Sequence, residues 1–483
     1  MGVRQYSMGK NELDVIVVGS GPNGLAAAIR LQQAGMAVLL VEGRETIGGG
    51  MRTAELTLPG FKHDICSAVH PMAANSPFFR SLNLGQFGLD FIYPSISAAH
   101  PFDNGEAAVL RSALADTAEL LGEDKSNYLR LMEPVVKNWP LIENDVMGPL
   151  SFPTHPLAMA AFGSKALQPA TMLATAFKTE KAKGLLAGMA AHSILPLNQV
   201  ASSAIGLVLM AAAHLRGWPI PRKGSQSIAD ALAMCFTSLG GIIQTGFSVK
   251  SLKQLPSSKA VLFDIGPKQL LEIAGHKFSS LYRQQLTRYK YGMGVFKIDW
   301  ALDAPIPFTN PLCREAGTVH IGGTFAEIAS AEQNTWLGKQ VDKPFVLVAQ
   351  QSLFDPSRAP AGKHTAWAYC HVANGSIEDK TAAIERQIER FAPGFRERIL
   401  ARHTYNTQQL EEYNANYIGG DINGGESNIT QLFTRPALRG SPYKTSSDGL
   451  YICSASTPPG GGVHGMCGYH AAMRVIKDLK LKK

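Results

Sequence analysis

Residues 14–50 read DVIVVGSGPNGLAAAIRLQQAGMAVLLVEGRETIGGG, and no other stretch narrows so far what the chain can fold into. The β-branched run 15–18 predicts a strand buried on both faces of a parallel sheet. It feeds directly into Gly19-Ser20-Gly21-Pro22-Asn23-Gly24. In such a unit the first glycine permits a tight turn and the second lets backbone approach a pyrophosphate. The third lets the following helix, expected over 25–34, pack closely on the strand. The helix N-terminus then offers free N–H groups and the positive end of its dipole to phosphate. Gly35 ends the helix, 37–41 makes a second strand, and Glu42 stands at its end, 18 residues beyond Gly24. A carboxylate there accepts hydrogen bonds from ribose hydroxyls and repels a 2′-phosphate. A bare GxGxxG fits many loops, but here strand, helix, second strand and acid are all in place, which makes it a dinucleotide fingerprint.

After Glu42 come Gly43-Arg44 and then Gly48-Gly49-Gly50-Met51-Arg52-Thr53. This resembles the glycine doublet that follows the second strand in a class of flavoproteins including amine oxidases, phytoene desaturases and Rab GDP-dissociation inhibitors. The resemblance implies backbone close to the pyrophosphate and flavin, with a basic residue nearby. Arg52 stands two positions beyond where the class's GGR places its arginine. At the far end, 448–456 reads as a turn and a buried strand, followed by a glycine loop, Gly460-Gly461-Gly462, and a helix continuing through Arg474. A loop opening a helix again presents unsatisfied N–H groups. The resemblance implies that Ser454, Gly461, Gly462 and Val463 face the flavin pyrimidine edge, where positive potential stabilises reduced flavin. It also implies that the backbone of Val249 meets the adenine. Runs at 297–303, 352–364, 417–422 and 433–436 extend the match over essentially the whole chain. They resemble the phytoene-desaturase-related branch to which the pyridine nucleotide-disulfide oxidoreductase domain-containing proteins belong.

A 483-residue chain exceeds one typical core, which points to interleaved domains. The expected fold is α/β: a Rossmann-like FAD-binding domain of the glutathione-reductase type, discontinuous in sequence, with an inserted α+β substrate domain. Residues 1–75, 217–289 and 441–483 are assigned to the FAD-binding domain and 76–216 to a helical substrate or lid region. Residues 290–440 are assigned to a substrate domain with an antiparallel sheet, its helix expected over 377–391. The apolar run 204–213 is too short to span a bilayer and reads as a buried helix.

A net charge of +8 is spread along the chain without a long basic run, apart from a short mixed tail at 477–483. That argues against nucleic-acid binding and leaves weak attraction to anionic membrane surfaces as the partner expectation for the charge. Residues 1–11 are short and polar, without the apolar core of a secretory signal, so an intracellular protein is expected: cytoplasmic, or mitochondrial in a eukaryote. The six cysteines form no CxxC or other close redox pair, and no metal-ligand spacing appears. Nothing in the pattern sets an oligomeric state.

The resemblance implies non-covalent FAD and hydride transfer between flavin N5 and a carbon of a hydrophobic, carotenoid-, isoprenoid- or lipid-like substrate. His70, His464 and His470 lie in or beside flavin-proximal motifs and are the candidate acids or bases, with hydrogen-bonded structural histidines as the alternative. Cys467 reads as a small buried cysteine rather than a flavin attachment point. Asp299, Asp303, Asp355 and Arg358 read as caps and ion pairs, and Arg435 as an anion ligand or a brace for Asp421. Two other readings stay open: a flavin-dependent amine oxidase, and a FAD-containing binding or regulatory protein without turnover. Against the first stands the missing aromatic pair just before Ser454.

Overall fold

The computed structural model describes residues 13–480; the readings of residues 1–11 and of the last tail positions, 481–483, lie outside them. Three separate stretches of chain build one five-stranded parallel sheet, in the order Leu450–Ile452, Ser258–Phe263, Leu13–Val18, Val38–Val41, Ile242–Gln244. Val15 and Val17 point into one apolar cluster and Ile16 and Val18 into another, so the central strand is buried on both faces, as its β-branched run predicts. Pro22–Gln33, Gln226–Ser238 and Met466–Lys480 cover the first face; Pro267–Ala274 and Ser280–Thr287 cover the second. The first helix starts at Pro22 rather than Leu25, because proline's fixed φ and missing N–H suit the first helical position. It lies against the last helix so closely that a Cβ on Gly468 would sit 1.8 Å from the Asn23 carbonyl oxygen.

The second sheet has seven strands, in the order Ile399–Tyr405, Gly294–Leu302, His364–Val372, Val346–Ala349, Ala316–Ile321, Ile96–Pro101, Ala107–Arg111. The five strands from 290–440 pair antiparallel, as expected, and the structure departs from the expectation of a largely helical 76–216. The last two strands come from the supposedly helical region, and Ala316–Ile321 pairs with Ile96–Pro101 in parallel, so the sheet is mixed. The alanine-rich sequences of these strands have helical propensity, which tertiary pairing overrides by burying Ile96, Ala98, Ala99 and Leu110 completely. The turn Asp103-Asn104-Gly105, with Gly105 at φ +84°, is the local hairpin signal that marks them. The rest of the region is helical: Lys125–Val146, Pro156–Ala166, Glu180–Ala191 and Ser202–Arg216 pack around Met132, Trp139, Leu186 and Met210. The 204–213 run is buried in the last of these, and among the described residues no helix is long and apolar enough to cross a membrane. The expected helix at 377–391 forms as Thr381–Phe391.

A buried charge cluster ties Lys62–Asp64 to the loop at 355–358 and to the turn at 223–225. Arg358 Nη2 donates to Asp64 Oδ2 at 2.5 Å and Nε to Asp355 Oδ2 at 3.2 Å, all three side chains being fully buried. Asp355 Oδ2 also accepts the Lys223 N–H at 2.6 Å, and Asp64 Oδ1 the Ser225 N–H at 2.8 Å. Burial alone would raise the Asp64 carboxyl; the Arg358 guanidinium, together with hydrogen bonds from Ser225 and Thr53, offsets it and holds the group below its usual range. Ion pairing, as expected, is the role of Asp355 and Arg358. Lys297 and Asp299 form a second buried pair, in which burial still pushes Asp299 up to about 6.

Candidate functional site

The loops that leave the carboxyl ends of all five parallel strands converge on one cavity of about 880 Å³, at the edge where open α/β sheets bind ligands. One wall is Gly19 to Asn23, Glu42 to Arg44, Val249 and Asp264, continued by Gly49, Gly50, Arg52, Ser454, Gly462 and Val463. The other wall comes from the inserted regions and from 66–72: Met72, His192, Leu209, Trp218, Leu347, Trp367 and Tyr369.

Fifteen of the nineteen residues expected around a cofactor therefore line one cavity, including segments more than 400 positions apart. Gly24, Gly48, Met51 and Gly461 do not; they shape it from behind. A Cβ on Gly24 would sit 2.0 Å from the Gly19 carbonyl oxygen, and one on Gly461 2.8 Å from that of Asn423. Gly48 adopts φ +117°, which a side chain would strain, and Met51 is fully buried core. The two N-terminal glycine segments touch, a Cβ on Gly49 falling 3.0 Å from Gly21 Cα.

Glu42 is more committed than its ribose role suggests. Ser20 N–H and Oγ–H donate to Oε2 at 2.9 and 2.5 Å, Arg44 N–H and Arg52 Nη2 to Oε1 at 2.9 and 3.3 Å. A ribose hydroxyl bonds Glu42 only by replacing one of these, and the Ser20 hydroxyl is the one that can rotate away. Arg52, despite its displaced position, braces the doublet by donating to Thr46 O at 2.7 Å and Gly49 O at 3.3 Å, and its guanidinium lies over the Tyr413 ring.

The helix N-terminus also differs from the expected row of free N–H groups. Gly24 N–H donates to Asp264 Oδ2 at 2.8 Å and Leu25 N–H to Gly21 O at 3.0 Å, while Pro22 has none. In this first turn only the Asn23 N–H meets no acceptor among the described residues, and the buried Asn23 Oδ1 is likewise unpartnered. The N–H, with the side-chain-free space that Gly19, Gly21 and Gly49 leave around it, fits a diphosphate oxygen, and Oδ1, an acceptor, fits a neighbouring hydroxyl. At the second loop no described acceptor takes the N–H of Gly462 or Val463, which suits the electron-rich edge of a flavin.

Asp264 was not among the expected site residues. Burial pushes its carboxyl up to about 7, the Gly24 and Gly21 N–H groups act the other way, and the Glu42 charge adds to the rise. The native group keeps its proton to about pH 7, whereas an unfolded aspartate loses it above about pH 4. Between those values the native state binds more protons, so stability falls as pH rises. Thermal unfolding of flavin-free protein is expected to show that decline between about pH 4 and pH 7, flattened in Asp264→Asn. An equally steep decline in the variant would acquit Asp264.

The candidate histidines separate. His464 does not line the cavity, and both its ring nitrogens are used: Nδ1 accepts the Met466 N–H at 3.0 Å and Nε2 donates to Gly460 O at 3.1 Å. Burial lowers its pKa to about 4, so it is a neutral loop brace and not an acid or base. His470 bonds Met147 O at 3.1 Å, outside the cavity. His70 lines the cavity. The Ser225 hydroxyl donates to Ser67 O at 2.6 Å and so accepts from His70 Nε2 at 2.8 Å, leaving Nδ1 a buried acceptor without partner. Cys467 is buried off the cavity and contacts carbonyls of Thr457 and Gly460 at 3.4 Å; burial raises it to about 11. All six cysteines are unpaired. Arg435 braces backbone, donating to Tyr289 OH at 3.0 Å and to Gly425 O at 3.3 Å.

Sequence reasoning missed the aromatic wall. Trp367 and Tyr369 lie 5.3 Å apart on one face of His364–Val372, and Trp218 joins them. The period-two spacing of Trp367, Tyr369 and His371 was its local trace. Also missed was the clasp at 412–417. Arg44 donates to the carbonyls of Glu412 and Tyr413, and Tyr413 OH to Gly49 O at 3.1 Å.

The profile of the NAD(P)-binding Rossmann-like domain matches residues 17–83. Pyridine nucleotide-disulfide oxidoreductase domain-containing protein 2 of Rattus norvegicus is 26% identical over 98% of this chain and 94% of its own. The neurosporene-forming phytoene desaturase of Rhodobacter capsulatus is 24% identical over 51% of each chain. The solved structure of putrescine oxidase bound to putrescine shares the fold, with TM-score 0.61 and 15% identity over 98% of this chain and 99% of that one. Over 98% of its length the chain is thus similar to pyridine nucleotide-disulfide oxidoreductase domain-containing protein 2, and it carries a Rossmann-like nucleotide-binding unit within a fold that it shares with putrescine oxidase.

Proposed function

We propose that the chain oxidises or isomerises a hydrophobic molecule at FAD, held non-covalently in the cavity. The observation that carries this reading is the continuity of the two walls: glycine loops and Glu42 on one side, Trp218, Leu347, Trp367 and Tyr369 on the other. FAD, when bound, supplies a hydride acceptor at flavin N5. The chain's own part is positioning and exclusion. Asn23, Gly49 and Gly50 give backbone access to the diphosphate, Gly462 and Val463 direct N–H groups at the flavin, and the apolar wall orients the substrate and keeps water out. His70 Nδ1 is a buried hydrogen-bond acceptor for the substrate, and burial, which lowers the ring to about 4, keeps it neutral.

An ammonium substrate is less well served. Among the described residues the only carboxylates lining the cavity are Glu42 and Asp264, just beyond two strands of the nucleotide-binding sheet, and Glu272, on a helix that covers it. None stands on the aromatic wall, so a cation there has only ring faces to meet. Purified protein should show a flavin spectrum that bleaches anaerobically with lipid or polyene substrates. Bleaching by amines but by no polyene or lipid would transfer the assignment to amine oxidation, and a colourless protein that cannot be reconstituted with FAD would end it.

A further inference from the structure

Two histidines from different elements meet beside the cavity. His192 caps the helix Glu180–Ala191 and lines the cavity with Leu209, Trp218 and Leu347; His320 lies fully buried on Ala316–Ile321. Their Nε2 atoms are 3.0 Å apart, so one must donate to the other. Burial lowers both pKa values, His192 to about 3, and each ring is therefore neutral with a single proton. The surroundings of His320 decide which ring donates. Its Nδ1 is buried without partner, packed against Gly188 so tightly that a Cβ there would come within 2.6 Å. If His192 were the donor, His320 would carry an orphaned N–H at that position. Buried orphan N–H groups are rarer than bare acceptors. His320 Nε2–H therefore donates, His192 Nε2 accepts, and His192 carries its own proton on Nδ1, which has no partner among the described residues.

We propose that His192 Nδ1–H, held in the donor tautomer by His320, binds an oxygen atom of the substrate, so that the molecule oxidised here is a carbonyl- or hydroxyl-bearing hydrophobe rather than a pure hydrocarbon. Thr318 supports the same recognition: it precedes His320 by two positions on the same strand face, and it also lines the cavity. In so apolar a wall a hydrocarbon leaves the donor unpaired, and a site built around a hydrogen bond discriminates against the partner that lacks it. His320 is a positioning residue, since it acts only through His192.

The inference rests on the apolar-substrate reading, and a matched pair of probes separates the two. 2-Dodecanone and dodecane are titrated into the flavin-loaded full chain and followed by perturbation of the flavin absorption. The ketone is expected to bind roughly tenfold to a hundredfold more tightly than the alkane. That ratio should collapse toward one in His192→Leu, with flavin content unchanged. His192→Asn, whose amide nitrogen stands near the position of Nδ1, should restore part of it, and His320→Phe should weaken it by freeing the tautomer. An unchanged ratio in His192→Leu, or a wild-type protein that binds both probes equally, overturns the inference alone. Perturbation by neither probe overturns the apolar-substrate reading and the inference together.

Discussion

Gly21→Val is expected to yield folded protein that retains no flavin. Gly21 has φ −66° and ψ 177°, a conformation open to any residue, so the effect is steric and not backbone strain. A Cβ at Gly21 would lie 2.7 Å from Asp264 Oδ2, and the valine methyl groups would enter space where backbone meets the cofactor. Gly49 packs on the Gly21 Cα from the other side, so the loop has nowhere to retreat. Displacing the carboxylate also releases the Gly24 N–H that it accepts, disturbing the helix end. Flavin affinity should fall at least about a hundredfold, near 3 kcal/mol. The ratio of flavin absorbance to protein after purification measures it, with circular dichroism to confirm the fold. Normal flavin content would refute the assignment of this loop to the diphosphate.

Arg358→Met carries the largest expected loss of stability. It leaves Asp64 and Asp355 facing each other's field with no counter-charge, both fully buried. Breaking such a group by removing one member costs about 3–5 kcal/mol, because the desolvated charges remain. Asp355 also holds the Lys223 N–H and Asp64 the Ser225 N–H, where the chain re-enters the cofactor domain, so flavin retention should weaken too. Denaturant midpoints of variant and parent measure the change. Adding Asp64→Asn and Asp355→Asn should recover part of the loss, since the uncompensated charges are then gone. A single variant as stable as the parent would show that the cluster contributes nothing net.

The cofactor half of the site was legible because its chemistry is local. A tight turn, a close backbone approach and an acid at a strand end each require a residue type at a set spacing, so Gly19 to Gly24 and Glu42 announce themselves. Asp264 was not legible. An aspartate after a strand is common, and only the parallel pairing of Ser258–Phe263 with Leu13–Val18 brings its carboxylate under the glycine loop. For His464 a catalytic and a structural reading were both open, and its hydrogen bonds support the structural one. Its neighbourhood in sequence is flavin-proximal, but its ring turns back onto Gly460 and Met466.

By itself the sequence determined a dinucleotide fingerprint, the glycine loops that carry it and an interrupted parallel sheet beneath them, since these follow from patterns within a few residues. The tertiary structure alone decided what faces that dinucleotide. The aromatic wall, the His192–His320 pair, the strands at 96–111 and the Asp64–Arg358–Asp355 tie join residues from about 130 to 300 positions apart. Their physics is burial and pairing across elements, which no local pattern records until the chain has folded.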